Sequence, residues 1–285
     1  MVIPMILSLC IAAYNEEKFI HYPLDSAYDL VDEVVIVDGG STDKTVEIAQ
    51  KYGEKVKIFH ENNPPMFHIN KQKALDKAKG EWILQLDADE ALSKDLRFEI
   101  ANLLQIQNSE FRIKNKQTEK SILNSKFNSE FSIHNSKFIA YWVPRKNYFL
   151  GRFLMKGGVY PDYTIRLYKN GKARFPCKSV HENVEVDGQI GYFKNAILHY
   201  ADVDFNRYLA RNRRYINVIA KEMQEKNMDK GVGMFINYIV IKPLHWFLLT
   251  QIRHKGILDG WQGVVFSFFS ALRFPRAYMK YLRSK

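Results

Sequence analysis

The sequence is poor in cysteine: its 285 residues include only Cys10 and Cys177. Neither cysteine has Cys or His neighbours at the spacing of a metal-ligand set. We therefore interpret both as free thiols in a reducing compartment, which argues against a cysteine-ligated metal site.

The sequence also lacks the usual signals for membrane insertion. No run of about 18 apolar residues is free of charge, so we see no clear transmembrane helix. The apolar N-terminus has no basic n-region and continues into Asn15, Glu16 and Glu17. This pattern favours a buried strand over a signal peptide.

Acidic residues are too few to balance the basic ones: the formal net charge is +11 and the pI is about 9.4. Seven Lys or Arg and one Asp fall within residues 251–285. The excess predicts an anionic partner, which could be a nucleotide, a nucleic acid or an anionic lipid surface.

Short apolar runs alternate with helical patterns over the first hundred residues. The patterns predict strands at 6–12, 33–37, 55–60 and 82–86, and helices at 16–30, 44–52, 69–79 and 95–107. Strands that alternate with helices indicate an α/β fold with a mainly parallel sheet covered on both faces.

Residues 80–90, GEWILQLDADE, combine a buried strand with three carboxylates. Asp87 and Asp89 are two apart, so in an extended backbone both project to one side. At the carboxyl end of a parallel strand they would face the ligand crevice, where they could hold Mg²⁺ or Mn²⁺ and so neutralise a diphosphate. The alternative is a solvated strand end in which Glu90 caps the next helix.

A low-complexity segment divides the chain. The motif Asn-Ser-(Glu/Lys)-Phe starts at residues 108, 124, 128 and 135. We interpret 108–138 as an insertion without lasting periodicity. The remaining regions are 1–107, 139–204 and 205–285, and the last of these is expected to be a helical, basic tail.

Three motifs resemble those of family 2 glycosyltransferases of the GT-A fold: AYNEE at 13–17, VDGGSTD at 37–43 and the DxD-containing run at 80–90. Four later motifs resemble a narrower group, which includes bacterial lipopolysaccharide-core transferases that add glucose to a heptose. They are RKNYFLG at 145–151, YPD at 160–162, RLY at 166–168 and VHE at 180–182.

The resemblance implies a GT-A, Rossmann-like, mainly parallel mixed sheet with helices on both faces, followed by C-terminal amphipathic helices. It also implies that 1–107 is a nucleotide-sugar-binding half, that 139–204 is an acceptor-binding half and that the tail is membrane-associated. It implies an inverting, metal-dependent hexosyltransferase that moves a sugar, expected to come from a UDP-sugar, to a hydroxyl of a lipid-linked or lipopolysaccharide-type glycan. The expected location is cytoplasmic, peripheral at the inner face of the cell membrane.

The resemblance also assigns site residues. Those expected to bind the nucleotide sugar are Ala12, Tyr14, Glu16, Asp38, Asp87, Ala88 and Arg166. Those expected to hold Mn²⁺ or Mg²⁺ are Asp89, Asp87 and His181. Glu16 and Asp38 follow the first two strands, so both should line one crevice; taken singly, each could instead be an acid at a helix start.

The general base has two candidates. Glu182 follows His181 in a segment whose family equivalent faces the acceptor, and Asp162 follows Tyr-Pro. Arg166 alternates with apolar neighbours on a strand, which suits either an inward cation near the diphosphate or acceptor or a buried partner of Asp162. For Lys71 we expect a solvated helix face.

The tail combines cations with interfacial aromatic residues such as Trp246, Trp261 and Tyr281. This composition favours helices that lie on an anionic membrane surface. The alternative is a pair of amphipathic helices packed on the catalytic domain or on a second subunit, as in a homodimer.

Two rival functions remain at this level. A polyprenyl-phosphate glycosyltransferase would have a phosphate acceptor and no need of a strong base, whereas the His-Glu segment favours a hydroxyl acceptor. A basic nucleic-acid-binding protein would account for the net charge, but the cations do not interleave with a recognisable binding motif. We therefore expect no nucleic acid among the partners.

Overall fold

The computed structural model describes residues 5–104, 137–178 and 183–284. The 108–138 insertion lies almost entirely outside these residues, as do His181 and Glu182, so the expectations placed on them remain predictions. By its internal contacts the chain divides into a first unit, Met1–Arg145 with Tyr163–His199, and a second unit, Lys146–Asp162 with Tyr200–Lys285.

Four parallel strands begin the first unit, in the spatial order β3-β2-β1-β4. They are β1 Leu7–Ala13, β2 Glu33–Asp38, β3 Val56–His60 and β4 Trp82–Gln85. The helices between them are α1 His21–Ala27, α2 Thr45–Gln50 and α3 His68–Lys77. The alternation predicted from the sequence is therefore confirmed, although α1 is shorter than the predicted 16–30.

The next elements are β5 Glu90–Leu92, α4 Lys94–Leu103, β6 Phe138–Phe149, β8 Asp162–Lys169 and β12 Ile197–Asp202. The four strands extend the sheet in the order β4-β8-β6-β12-β5, with β8 antiparallel to β4 and β5 antiparallel to β12. The short strands are β7 Arg152–Leu154, β9 Ala173–Arg174, β10 Glu185–Val186 and β11 Gln189–Tyr192. The result is the mixed, mainly parallel sheet expected from the sequence.

Helices cover both faces of this sheet because successive strand residues point to opposite sides. Val34 and Ile36 of β2 join one apolar cluster, which includes residues of α1 and α4. Val35 and Val37 join a second cluster, which includes residues of α3. Both faces are therefore buried, as the continuous apolar composition of β2 requires.

Gly80 sets the start of β4 through a close approach to β1. Its N–H donates to Ser8 Oγ at 2.8 Å, and Ser8 Oγ donates to Glu33 Oε1 at 2.8 Å. A Cβ on residue 80 would lie 2.7 Å from the backbone nitrogen of Ser8, too close for any side chain. The glycine that opens the 80–90 motif is thus required by packing.

The second unit is mostly helical. Its helices are α5 Phe205–Glu225, α6 Val232–Ile236, α7 Lys242–Leu248, α8 Gly260–Ala271 and α9 Arg273–Arg283. Asp204 caps α5, because its carboxylate accepts a hydrogen bond from the backbone N–H of Arg207 at 2.8 Å. Aromatic residues dominate its two apolar clusters, one around Tyr238, Tyr278 and Tyr281 and the other around Phe149 and Tyr208.

One continuous helical segment in this unit, Val232–Arg253, is long and apolar enough to cross a membrane by length and composition. It joins α6 and α7 through π-helical turns at Asn237–Ile241 and Leu249–Arg253. Only 6% of its most apolar 18-residue window is buried. The sequence analysis did not single out this segment, because it looked for an apolar run free of charge and this helix contains Lys242.

Candidate active site

The carboxyl ends of the central strands meet at one edge of the sheet, where Ala13 pairs in register with Asp38 and Cys10 with Gln85. At this edge, hydrogen bonds connect the loop after β1 to the loop after β2. Ser41 Oγ accepts a hydrogen bond from the Asn15 N–H at 2.9 Å, and Asn15 Oδ1 accepts one from the Thr42 N–H at 2.8 Å. The two motifs that were adjacent to predicted strands therefore form one crevice wall.

Asp38 lies buried at this edge and turns its carboxylate back into its own loop. Oδ2 accepts hydrogen bonds from the N–H groups of Gly40 and Ser41, each at 3.1 Å. A positive φ of 81° at Gly40 bends the backbone so that both donors converge. Asp38 thus fixes the conformation of its own loop.

The other residues predicted to bind the nucleotide sugar differ in accessibility. Tyr14 is 43% exposed on the loop after β1, Glu16 is partly buried on the same loop, and Ala12 is partly buried near the end of β1. Glu16 is fixed through its backbone, whose N–H donates to Thr45 Oγ1 at 2.7 Å. Ala88 is buried and belongs to the apolar cluster that contains α1 and α4.

Asp87 lies between two cations. Its Oδ1 contacts Lys71 Nζ in a very short ion pair, and its Oδ2 accepts from Arg166 Nη2 at 2.8 Å. Gln85 Nε2 donates to Oδ1 at 3.1 Å. Both carboxylate oxygens are therefore occupied by protein donors.

Glu90 extends this cluster into the core, where it is fully buried. Its Oε1 accepts from Arg166 at 2.8 Å and from Arg145 at 3.2 Å, and its Oε2 accepts from the backbone N–H of Asp87 at 3.0 Å. Glu90 does not cap α4, since Ser93 does so by accepting from the Leu96 N–H at 3.3 Å. The helix-cap alternative weighed for Glu90 is therefore wrong.

The charges of this cluster shift one another's pKa values. Burial alone would raise the pKa of Asp87, but the neighbouring Arg166 and Lys71 cations outweigh it and hold that pKa well below its ordinary value. Burial lowers the pKa of Lys71, and the attraction of Asp87 opposes this shift. Asp87 thus stays ionised and keeps two cations oriented at the strand end.

A cavity of about 220 Å³ opens onto the same cluster. Its polar lining includes Lys71, Asp87, Arg145 and Arg166. Opposite them, His68 stacks on Phe175 with ring centroids 5.2 Å apart. The cavity therefore combines three cations with an aromatic wall, which suits an anionic group attached to a ring.

Asp89 points to a different partner. Its Oδ1 lies 3.5 Å from Nε2 of His199. The Asp89 side chain is 15% exposed and the His199 side chain 14%. His199 reaches this position because β12 pairs antiparallel with β5, in a register that places His199 opposite Glu90. A carboxylate and an imidazole side by side are the oxygen and nitrogen donors that Mn²⁺ accepts.

The candidate base Asp162 belongs to the second unit, where its Oδ2 accepts from Asn147 Nδ2 at 3.1 Å. It follows a cis peptide bond between Tyr160 and Pro161. Glu182 and His181 lie outside the described residues. The ion-pair partners of Arg166 in the described chain are Asp87 and Glu90, so the alternative of a pair with Asp162 is wrong.

Comparison with known proteins decides the family. The family described as "Glycosyl transferase family 2" matches residues 8–158, more than half of the chain. An uncharacterised glycosyltransferase of Rickettsia bellii is 31% identical over 283 residues, which cover 95% of this chain and 84% of that protein. The chain is a family 2 glycosyltransferase.

Two further proteins resemble this glycosyltransferase at lower identity. The lipopolysaccharide core biosynthesis glycosyltransferase LpsC of Rhizobium meliloti is 24% identical over 94% of this chain and 91% of its own length. A solved mannosyltransferase of Pyrobaculum calidifontis, in complex with GDP-Man and Mn²⁺, has a TM-score of 0.51 at 14% identity. It covers 100% of this chain and 89% of that one, and it supports the GT-A fold.

Several residues of the glycosyltransferase site escaped the sequence analysis. Lys71 was expected on a solvated face, but it is buried and contacts Asp87. Its spacing from His68 and Leu75 places all three on one face of α3, and this spacing was an available signal. No comparable signal marks His199, because strand pairing over more than a hundred residues brings it to Asp89.

Proposed function

We propose that this family 2 glycosyltransferase moves a hexose, with inversion, from a nucleotide sugar to a hydroxyl of a lipid-linked or lipopolysaccharide-type glycan. The observation that carries the proposal is the cluster of Lys71, Arg145 and Arg166 around Asp87 at the carboxyl edge of the sheet. This edge is where open α/β sheets bind nucleotides. The similarity to LpsC along nearly the whole chain supports the acceptor class, and we propose UDP as the nucleotide.

The donor set at Asp89 fits a divalent cation. Among the described residues no group of three or more His, Cys, Asp or Glu could hold a metal by itself. Mg²⁺ and Mn²⁺ sites that act on phosphates commonly use one or two protein ligands and complete their shell with water and phosphate oxygens. We therefore propose Asp89 and His199 as ligands, with His181 as a further candidate. The occupied oxygens of Asp87 favour a positioning role for Asp87.

The chemistry requires charge on two sides of the sugar. Transfer breaks the bond between the anomeric carbon and the diphosphate, while positive charge develops on the sugar ring. A bound Mn²⁺ or Mg²⁺ would supply Lewis-acid neutralisation of the diphosphate. Lys71 and Arg166 are held by Asp87, so they can stabilise the departing oxygen without rearranging.

We propose Glu182 as the base that takes the proton of the acceptor hydroxyl. The next two residues, Asn183 and Val184, line the cavity beside Arg145 and Arg166. This neighbourhood in the chain favours Glu182 over Asp162, whose carboxylate is bonded to Asn147. Asp162 is tested beside Glu182 in the second of the two experiments that follow.

We also propose that the enzyme works at the inner face of the cell membrane. In the helical segment Val232–Arg253, Val240, Ile241 and Leu244 are each more than half exposed. Exposed apolar side chains on one long helix with flanking cations are typical of membrane-surface binding. Such a position would give access to a lipid-linked acceptor.

The decisive experiment measures nucleotide release from a panel of UDP- and GDP-sugars in the presence of Mn²⁺. We expect turnover with one donor, loss of turnover in excess chelator, and loss in Asp89→Asn and His199→Ala. The matched control is Asp187→Asn, which removes an exposed carboxylate that pairs with Lys172. Full turnover in chelator would overturn the metal role.

A second experiment compares Glu182→Gln with Asp162→Asn. Removal of the base should lower kcat by roughly 10²–10⁴-fold while donor affinity, measured by calorimetry, stays near wild type. The acceptors offered should include a glycolipid and a polyprenyl phosphate. Transfer only to the phosphate, or a dead Asp162→Asn beside an active Glu182→Gln, would reverse these assignments.

A further inference from the structure

An open groove of about 660 Å³ lies between α5 and α9 in the second unit, and none of its lining residues is assigned to catalysis. Both helices present one face to it. Arg276, Lys280 and Arg283 follow each other at four- and three-residue spacing on α9, and Arg213 faces them from α5. Four cations therefore border a single groove.

Within residues 5–104, 137–178 and 183–284 these cations have no acidic counterpart. No Asp or Glu of these ranges lines the groove, and none of their carboxylates lies within 4.0 Å of the four side chains. Lys280 Nζ donates to Asn217 Oδ1 at 2.6 Å. The three guanidinium groups of Arg213, Arg276 and Arg283 form no hydrogen bond within these residues, so their donors remain available to an anion.

Apart from Asn212 and Asn217, the rest of the lining is apolar. Leu209 and Ile216 contribute from α5, Met279 from α9 and Phe269 from α8. The Arg276 guanidinium lies 5.8 Å from the Phe269 ring centroid, at the border between the charged and apolar parts. The groove thus has a cationic rim and a hydrophobic floor, so a ligand that fills it must have both an anionic group and an apolar part.

This combination discriminates among anions. A free phosphate would bind the cations but leave the apolar floor exposed to water. A nucleic-acid backbone carries repeated charges and few apolar groups, so it would not match a site in which four apolar side chains lie beside four clustered cations. A phospholipid supplies both features, because its phosphate can bind guanidinium groups and its first methylene groups can cover the floor.

We propose that the α5–α9 groove binds an anionic membrane phospholipid through its phosphate headgroup and the first carbons of its acyl chains. This inference builds on the proposed membrane association and is independent of the transfer reaction. The groove would hold one lipid specifically, whereas the Val232–Arg253 helix would contact the membrane through its exposed apolar side chains.

The test uses the full chain and dihexanoyl phosphatidylglycerol below its critical micelle concentration, with binding followed by calorimetry. The triple variant Arg276→Gln, Lys280→Gln, Arg283→Gln should bind about a hundredfold more weakly, since each cation near a phosphate contributes roughly fivefold. Met279→Gln should weaken the lipid but leave the much weaker binding of inorganic phosphate unchanged.

The matched control removes three exposed cations outside the groove, two on α5 and one directly after it, in the variant Arg214→Gln, Lys221→Gln, Lys226→Gln. It should bind the lipid as wild type does. An equal loss in both triple variants would overturn the proposal in favour of diffuse charge, and phosphate binding as tight as lipid binding would overturn it in favour of a free anion. Nucleotide release from the donor should persist in the groove variant, which separates this result from a failure of the proposed reaction.

Discussion

The two units of this glycosyltransferase differ in the balance of their basic and acidic residues. The first contains 24 Lys and Arg against 24 Asp and Glu, whereas the second contains 18 against 7. The whole net charge of +11 therefore belongs to the second unit. A global pI would have suggested one basic surface, but the catalytic unit is formally neutral.

The difference extends to how the charges are placed. In the first unit Arg166 is buried and its partners Asp87 and Glu90 lie within 2.8 Å. In the second unit the cations of the α5–α9 groove are exposed and lack carboxylate partners among the described residues. Internal compensation fixes the geometry of a site, and uncompensated charge requires a partner from outside the chain.

Apolar side chains follow the same division. Aliphatic residues predominate in both buried clusters of the first unit, while the second unit exposes large side chains such as Ile252 at 70% and Trp261 at 59%. Large apolar side chains exposed to water lower a protein's solubility unless a membrane or a protein partner covers them. The comparison therefore predicts that mutations act on folding in the first unit and on association in the second.

The largest effect should come from breaking the compensated cluster. Arg166→Met leaves the carboxylates of Asp87 and Glu90 buried with less cationic compensation, and we expect the free energy of unfolding to fall by about 3–5 kcal/mol. The measurement is urea denaturation followed by circular dichroism. Arg174→Met, whose side chain is 75% exposed beside Glu185, should change stability by less than about 0.5 kcal/mol.

An equal response of the Arg166 and Arg174 variants would show that the buried cluster does not stabilise the first unit. The result would also remove the argument that Asp87 serves to hold cations.

A smaller effect is expected from the apolar face of the second unit. Ile241→Ser with Leu244→Ser should weaken binding to vesicles of phosphatidylcholine and phosphatidylglycerol by at least roughly thirtyfold, about 2 kcal/mol, because two exposed aliphatic side chains no longer enter the membrane. The measurement is vesicle cosedimentation at several lipid concentrations.

The control for the vesicle experiment is Tyr163→Ser with Tyr192→Ser, which removes two exposed aromatic side chains of the first unit. Its vesicle binding should match wild type. A loss shared by both pairs would break the assignment of membrane contact to the second unit.

The smallest effect concerns the pH dependence of the first unit. Burial opposes ionisation of Glu33, but the Lys57 side chain, the Lys79 N–H and Ser8 together hold its pKa below the ordinary value. A depressed pKa means that this stabilisation is complete above the ordinary pKa of 4.5 and is lost as the pH falls through the folded-state value. Glu33→Gln should therefore cost about 1–1.5 kcal/mol near neutral pH and progressively less in acid.

Thermal unfolding at several pH values checks this expectation, with Glu47→Gln as control. Glu47 also pairs with a lysine, Lys51, but its side chain is 58% exposed, so its removal should cost less than about 0.5 kcal/mol. A Glu33→Gln penalty that stays constant from neutral to acid pH would contradict the pKa argument.

Much of the first unit could be predicted from the sequence. The apolar run of β2 and the acids that follow β2 and β4 placed Asp38, Asp87 and Asp89 at one edge of a parallel sheet, and the structure has them there. The prediction worked because strand patterning and glycine-containing turns are local signals. The long helical pattern of α5 was predicted for the same reason.

The predictions failed where a side chain depends on distant partners. Glu90 was weighed as a helix cap, yet it forms part of β5 and accepts from Arg145 and Arg166. Lys71 was assigned to solvent because lysine is rarely buried, and its burial depends on the charge of Asp87. Neither pairing can be inferred from neighbours in the chain.

By itself, the sequence determined the α/β alternation, the position of the DxD pair after a buried strand and the basic character of the tail, because each depends on residues close together in the chain. Only the tertiary structure decided which partner each carboxylate of the pair receives. Asp87 contacts Lys71 and Arg166, while Asp89 contacts His199. The physical reason is that sheet order and strand register, which are set by the tertiary fold, bring together residues that are 16, 79 and 110 positions apart in the chain.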